Sequence, residues 1–246
     1  MSDPGSRPPT RAQRRFAEEA PALVRLDLAA RFARIRAIDL WGGPESVSGV
    51  GSGLDPTARL RAELPPLLTS LGVRTLLDAP CGDFHWMRHT DLAGIRYIGG
   101  DIVPEIVARN TALYATPDGM RSFVELDLTR GPLPAADAVL CRDCLVHLSL
   151  ANIERALAAI EASGARWLLT TTFTAVERNV DIADGDWRPL NLERPPFDFG
   201  APEAAIVEGC DEEGGAYADK TLAVWRVQRS RPGRAARAGG GARSPG

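Results

Sequence analysis

Short apolar runs that alternate with helical stretches are the feature that most constrains the fold of this 246-residue chain. Apolar runs at 74–78, 97–101, 123–127, 138–141 and 167–173 predict five strands, and stretches suited to helices lie at 84–92, 104–115 and 151–163. Strands joined by helices run parallel, with helices on both faces of the sheet. Runs at 204–208 and 221–227 have no helix between them and predict an antiparallel C-terminal edge hairpin. We therefore expect an α/β, Rossmann-like fold with a mostly parallel seven-stranded sheet.

The two ends of the chain differ in composition from its centre. Residues 1–20 mix proline, glycine, arginine and glutamate without periodicity, and residues 229–246 carry five arginines and no acid. Such segments bury too little apolar surface to offset their ordering entropy, so we expect both to be disordered. Residues 21–228 are then expected to form one domain. Within it, residues 21–70 would supply helices at 22–39 and 57–70, with a glycine- and serine-rich loop between them as a lid.

Charge and hydropathy exclude several classes of partner. The net charge of the chain is −3, and the arginines of the predicted tail leave the remainder more acidic still, so nucleic acid is an unlikely partner. The sequence contains no run of about 18 apolar residues that could span a bilayer, and residues 1–15 lack the apolar core of a secretory signal. We expect a cytoplasmic protein that does not contact membranes.

Acidic residues follow three successive predicted strands. Asp78 ends the first strand and Gly82 follows it, Asp101 ends the second, and Asp127 ends the third. In open α/β sheets, ligands bind beyond the carboxyl ends of the strands, where a carboxylate can accept hydrogen bonds from ribose hydroxyls. The glycine fingerprint G-x-G-x-x-G of dinucleotide-binding enzymes is absent after the first strand. This argues against a cofactor of the NAD or FAD type.

The run Asp-Ala-Pro-Cys-Gly-Asp over residues 78–83 resembles a variant of motif I in class I S-adenosylmethionine (SAM)-dependent methyltransferases. The resemblance implies SAM as the cofactor. It implies that the methionine part of SAM is held by the turn after the first strand, at Asp78, Ala79, Cys81 and Gly82. It also implies that Asp101 binds the ribose, and that the adenine is bound by Ile102, Asp127 and Leu128.

The segment 137–148 after the fourth strand resembles the corresponding methyltransferase motif, which ends in an apolar-His-Leu sequence. In that family these residues face the transferring methyl group. His147 and Asp143 are therefore the candidate catalytic groups, able to accept a proton from an acceptor hydroxyl or to orient it. The alternative is that His147 is a structural residue at a helix start. Arg142 is a candidate to bind an anionic part of a ligand, or to form an ion pair with Asp143 or Asp78.

Two further patterns allow more than one interpretation. Cys141 and Cys144, with Cys81 and Cys210, would supply four sulfur ligands for zinc, but their spacing is not that of a zinc knuckle and we expect no metal. The polar and aromatic stretch after the fifth strand, up to Phe197, is either the acceptor pocket and its lid or a loop that covers the sheet edge.

These observations predict a SAM-dependent methyltransferase that acts on the oxygen or nitrogen of a small molecule. Two alternatives remain at this stage. One is a SAM-binding protein without catalytic activity. The other is a Rossmann-type NAD-dependent oxidoreductase or epimerase, against which stands the absence of a Tyr-x-x-x-Lys pair, since Lys220 is the only lysine. The sequence does not indicate the acceptor or the oligomeric state.

Overall fold

A seven-stranded sheet forms the centre of the molecule in a computed structural model, which describes residues 7–227. The strands are β1 (Thr75–Asp78), β2 (Arg96–Asp101), β3 (Arg121–Glu125), β4 (Ala138–Cys141), β5 (Trp167–Phe173), β6 (Ala204–Val207) and β7 (Lys220–Arg226). Their order is β3-β2-β1-β4-β5-β7-β6, and β7 runs antiparallel to both of its neighbours while the other pairs are parallel. The predicted mostly parallel sheet with an antiparallel C-terminal edge is confirmed.

Helices precede the sheet and connect its strands. They are α1 (Arg11–Leu23), α2 (Leu28–Ala37), α3 (Ala58–Ser70), α4 (Pro104–Tyr114), α5 (Leu150–Ala162) and the short α6 (Glu212–Gly215). Ser149 caps α5 as predicted, because its hydroxyl accepts a hydrogen bond from the Asn152 amide at 3.3 Å. The helix expected at 84–92 is wrong: only the 3-10 turn Met87–His89 forms there, since Phe84 adopts a φ of 59° that no helix accommodates.

Alternate residues of the central strands pack on opposite faces of the sheet. Leu76 belongs to the layer covered by α3, and Leu77 to the layer covered by α5. The helical side of the first layer consists of leucines at i, i+4 and i+8, namely Leu60, Leu64 and Leu68, all without exposed surface. Each such side chain contributes about 1.5–3 kcal/mol by burial, so the two layers fix the sheet that positions the site.

The N-terminal segment is more ordered than its composition predicts. The expectation of disorder over residues 1–20 is wrong from Arg11 onward, where α1 begins. Thr10 and Gln13 form a capping box, and Phe16 lies buried against the following helix. The single helix expected at 22–39 is divided between α1 and α2, because Asp27 caps a new helix start. The disorder predicted for residues 1–6 and 229–246 lies outside the described residues.

None of the helices within residues 7–227 has the length and apolar character that a membrane span needs.

Candidate functional site

The principal concavity lies where the chain changes direction across the sheet. β1 is flanked by β2 on one side and β4 on the other, which makes the carboxyl ends of β1 and β4 a topological switch point. The pocket there encloses about 1130 Å³ including its open mouth, and we call it the main pocket. All eleven residues singled out from the sequence line it: Asp78, Ala79, Cys81, Gly82, Asp101, Ile102, Asp127, Leu128, Arg142, Asp143 and His147.

The turn after β1 is fixed to the neighbouring strands. The Ala79 amide donates to the Leu140 carbonyl at 2.9 Å, and the Cys81 amide donates to the Gly100 carbonyl at 2.8 Å. Gly82 adopts a φ of 52°, and a Cβ at this position would lie 2.2 Å from the Ser48 hydroxyl oxygen. The backbone conformation and the close approach of the loop above both favour glycine at this position.

Asp101 joins this turn to the end of β2. One carboxylate oxygen accepts from the Gly82 amide and the other from the Val103 amide, both at 3.0 Å. Burial raises the pKa of Asp101 to about 6 despite these bonds. Each carboxylate oxygen keeps a further lone pair, so the group can still accept hydrogen bonds from a ligand diol in the main pocket.

Asp78 is buried at the base of the pocket beside a residue that the sequence did not single out. The Tyr97 hydroxyl donates to the Asp78 carboxylate at 2.7 Å, although the two residues are on different strands. Burial raises the pKa of Asp78 to about 7, an effect that exceeds the opposing influence of Tyr97 and Arg142. Only the parallel pairing of β1 with β2 brings them together, so the sequence carried no local signal for this contact.

The end of β3 adds a polar and an apolar side chain. The Asp127 carboxylate accepts from the Thr129 amide at 2.9 Å and from the Thr129 hydroxyl at 2.7 Å. Leu128 is buried beside it, and Ile102 lines the pocket from the end of β2. A flat apolar group would therefore find aliphatic contacts next to a carboxylate acceptor.

His147 lies in the 3-10 turn Leu145–His147 after β4. Its Nδ1 atom is 2.8 Å from the Asp186 carbonyl oxygen, which can only accept, so Nδ1 carries the proton and Nε2 is free to act as a base. Burial lowers the pKa of His147 to about 4, which keeps the imidazole neutral near pH 7. The Trp41 indole packs on the ring with centroids 4.8 Å apart.

Four charges form a network behind the other candidate catalytic residue, and three of them are buried while the Asp143 side chain is 27% exposed. Arg142 contacts Glu208 at 2.7 Å and Asp143 at 3.2 Å, and Lys220 contacts Asp143 at 2.7 Å and Glu208 at 3.4 Å. Burial alone would raise the pKa of Asp143, but the charges of Arg142 and Lys220 hold it well below its usual range. Asp143 therefore stays ionised and is suited to orient a group rather than to take its proton.

Arg142 is engaged within the protein rather than open to a ligand. Each of its three guanidinium nitrogens has a partner. Nε and one terminal nitrogen, Nη2, contact Glu208, and Nη2 also donates to the Gly51 carbonyl at 2.8 Å. The second terminal nitrogen, Nη1, contacts Asp143. Of the two roles considered from the sequence, the ion pair with Asp143 is thus present. Glu208 and Lys220 were missed, because they lie 66 and 77 positions away from their partners.

The glycine- and serine-rich loop lies over the turn after β1. Asp83 accepts from the Ser46 hydroxyl at 2.8 Å and from the Val47 amide at 3.1 Å. Three buried donors of this N-terminal region, Arg36 Nε, Trp41 Nε1 and Arg61 Nε, have no hydrogen-bond partner among residues 7–227, and the first two belong to residues that line the main pocket. Unpaired buried donors are costly, and an acceptor group of a ligand in the main pocket would satisfy those two.

A second cavity of about 570 Å³ adjoins the main pocket, and we call it the side pocket. The two cavities share Trp41, Ser48, Asp143 and His147. The other residues that line the side pocket are Ala12, Gly49, Val50, Gly51, Phe173, Trp187, Cys210, Glu212, Tyr217 and Lys220. The segment after β5, which the sequence allowed as a pocket wall, contributes Trp187 to this cavity.

The cysteines do not converge on one point. Cys81 and Cys144 line the main pocket, Cys210 lines the side pocket, and all four cysteines are free thiols. Within residues 7–227, no group of three or more histidine, cysteine, aspartate or glutamate side chains is arranged to hold a metal ion.

Comparison with known proteins identifies the fold. No protein-family model matches the sequence, and no curated protein matches it significantly. Among solved structures, the chain is similar to Burkholderia thailandensis 1,6-didemethyltoxoflavin-N1-methyltransferase, which was solved with 1,6-didemethyltoxoflavin and S-adenosylhomocysteine (SAH). The TM-score is 0.55 at 16% identity, over 85% of this chain and 89% of that one. It is also similar to the methyltransferase domain of bacterial CtHen1-CN, with a TM-score of 0.51 at 12% identity, over 71% of this chain and 100% of that one. The fold is that of class I methyltransferases.

Proposed function

We propose that this protein is a SAM-dependent methyltransferase that transfers a methyl group to an oxygen or nitrogen of a small molecule. One observation carries the proposal: the carboxylate of Asp101 at the end of β2 and the Asp78–Gly82 turn at the end of β1 line one pocket at the switch point of the sheet. The methyltransferase fold of the solved neighbours supports it.

The chemistry of the main pocket fits the proposed cofactor. SAM carries a sulfonium and an ammonium group, and the pocket has the carboxylates of Asp78, Asp83 and Asp101 in its wall. A ribose diol matches the remaining acceptor positions of Asp101, and an adenine ring matches the aliphatic contacts of Ile102 and Leu128. The unpaired donors of Arg36 and Trp41 would be satisfied by the carboxylate of the methionine part.

When bound, SAM would supply the methyl group: the acceptor oxygen or nitrogen bonds to the methyl carbon in line as the bond from that carbon to the sulfonium sulfur breaks, and SAH leaves. Under the proposal, the turn with Asp78, Ala79, Cys81 and Gly82 holds the methionine part. Because the amides of Ala79, Cys81 and Gly82 are bonded within the protein, the turn offers oxygen acceptors to the ammonium group rather than donors. Asp127 and Leu128 contact the adenine. For a hydroxyl acceptor, His147 accepts the proton at Nε2, since Nδ1 is occupied by the Asp186 carbonyl. An amine acceptor in its neutral form needs only orientation, by His147 or by the ionised Asp143.

Isothermal titration with SAM, SAH and NAD tests the proposal. We expect SAM and SAH to bind and NAD not to bind. Binding of NAD without SAM would overturn it. Incubation with methyl-labelled SAM and fractionated small-molecule extracts then tests catalysis. Tight SAM binding with no labelled product from any fraction would favour a SAM-binding protein without activity.

A further inference from the structure

The side pocket is placed to receive the molecule that is methylated. Trp41, Ser48, Asp143 and His147 form a wall common to both cavities, so an occupant of the side pocket meets the main pocket at the His147 ring. Nε2 of that ring is the free base of the site. The chemistry of the other residues that line the side pocket therefore indicates which class of acceptor it can bind.

One wall of the side pocket is aromatic. Trp187 and Tyr217 meet edge to face with centroids 5.0 Å apart, and Phe173 packs against both at 5.7 and 6.1 Å. Ring faces attract cations. The Arg7 guanidinium already lies over Phe173 and Tyr217, at 5.8 and 5.3 Å, and its own charge is paired with Asp219 at 2.7 Å.

A carboxylate in this pocket lacks a partner. Glu212 is half-buried, and no donor or cation within residues 7–227 makes a hydrogen bond or ion pair with its side chain. The nearest cation, Lys220, is bound between Asp143 and Glu208. Burial raises the pKa of Glu212, an effect that exceeds the opposing charges of Lys220 and Arg142.

Gly51 keeps this charged corner open. A Cβ at Gly51 would lie 3.5 Å from Lys220 Nζ, 3.6 Å from a Glu212 carboxylate oxygen and 3.7 Å from an Asp143 carboxylate oxygen. These three charged atoms thus converge on a space that a glycine leaves free. The excess charge at this point is negative, because the three carboxylates of Asp143, Glu208 and Glu212 meet two cations, Arg142 and Lys220.

We propose that the side pocket is the acceptor site and that it binds an organic cation, a small molecule with an apolar or aromatic body and a protonated amine. The amine binds Glu212, and the body packs against Phe173, Trp187 and Tyr217. The field of the pocket disfavours acceptors that carry a carboxylate or phosphate. This inference rests on the proposed function, since it assigns the acceptor of the same reaction.

Two probes with the same body and opposite charge test the inference. Phenethylamine and 3-phenylpropionate are titrated into SAH-saturated protein, with binding followed by ligand-observed NMR. We expect the amine to bind about tenfold more tightly than the carboxylate, as for a charge-assisted hydrogen bond. Glu212→Gln should abolish this preference, whereas Glu213→Gln, which removes the same charge from a neighbour that is paired with Arg14 and does not line the side pocket, should retain it.

The outcomes separate the two proposals. SAH affinity is measured first for each variant, and failure of the wild-type protein to bind SAH would refute the proposed function itself. If SAH binds normally, then equal or tighter binding of the carboxylate overturns only the assignment of the acceptor. No binding of the amine, or a preference that survives Glu212→Gln, overturns it as well. Gly51→Ala should weaken amine binding and leave SAH affinity unchanged, because Gly51 lines the side pocket and not the main one.

Discussion

The buried network of Arg142, Asp143, Glu208 and Lys220 allows a quantitative prediction about stability. Lys220→Met removes the ammonium group and keeps a side chain of similar length. In the native structure that ammonium lies 2.7 Å from Asp143 and 3.4 Å from Glu208, and the Glu208 and Arg142 side chains are only 2% and 4% exposed. The substitution therefore leaves two carboxylates facing one guanidinium, and Glu208 has little access to water whereas the Asp143 side chain is 27% exposed.

The size of the expected loss of stability follows from the charges that remain after Lys220→Met. Removing one partner of a buried ion pair costs about 3–5 kcal/mol, because the other charge stays buried without compensation. Arg142 still contacts both carboxylates, so we expect the lower end, a loss of about 3 kcal/mol in the free energy of unfolding. The double variant Lys220→Met/Glu208→Gln restores the charge balance and should be less destabilised than Lys220→Met alone.

Urea unfolding followed by circular dichroism measures these differences. Glu63→Met is the matched control, because Glu63 and Arg59 form an exposed ion pair of similar length, 2.9 Å, with side chains 47% and 55% exposed, and the hydrogen bond from Arg59 to the Val207 carbonyl is kept. That control should lose no more than about 0.5 kcal/mol. A loss below about 1 kcal/mol for Lys220→Met would show that water or a side-chain rearrangement compensates the carboxylates, and would refute the reasoning.

Three further predictions concern the main pocket. Asp101→Ala should weaken SAM binding by about 1.5–3 kcal/mol in isothermal titration, the range of charge-assisted hydrogen bonds, and an unchanged affinity would leave Asp101 only its contacts to the backbone. Gly82→Ala should destabilise the fold by at least about 1 kcal/mol, since φ is 52° and the new methyl group collides with Ser48. In thermal unfolding, the double variant Gly82→Ala/Ser48→Gly should recover the part of this loss that comes from the collision. His147→Gln should flatten the loss of stability on acidification. Below pH 6.5 the unfolded imidazole binds a proton, whereas the buried one, with a pKa of about 4, does not, so wild-type stability falls over that interval. Asp78, whose pKa is raised, stabilises the native state as the pH falls and so opposes the effect of His147. The measurement is therefore the difference between the stability–pH profiles of wild type and His147→Gln. Identical profiles would contradict a buried neutral His147.

The sequence predicted those parts of the molecule that depend on local patterns. β4 and β5 occupy the predicted residues, and Ser149 caps α5, because strand runs and capping residues act over a few neighbours. α1 escaped prediction, since a helix of low apolar content is stabilised here by tertiary contacts, such as the packing of Phe16 with Ile35 and Leu40.

Among the residues of the candidate site, too, the sequence predicted those that follow a local pattern and missed those that depend on long-range contacts. The acids that follow β1, β2 and β3 were found from their positions at strand ends, and they line one pocket. Glu208, Lys220 and Tyr97 were not found, because their functional meaning arises only when the sheet order places them beside Arg142, Asp143 and Asp78. The only lysine of the chain was a visible signal, but nothing in the sequence indicated its partners.

The wall shared by the two pockets has a thermodynamic consequence. Trp41 and Ser48 belong to the same loop, and the turn after β1 binds that loop through Asp83 and Ser46. A ligand in either pocket that orders the loop reduces the entropy lost when the other ligand binds. The two affinities are then linked by one coupling free energy, so that each ligand raises the affinity for the other by the same factor. The protein with one pocket occupied thus binds the ligand of the other pocket more tightly than the empty protein does.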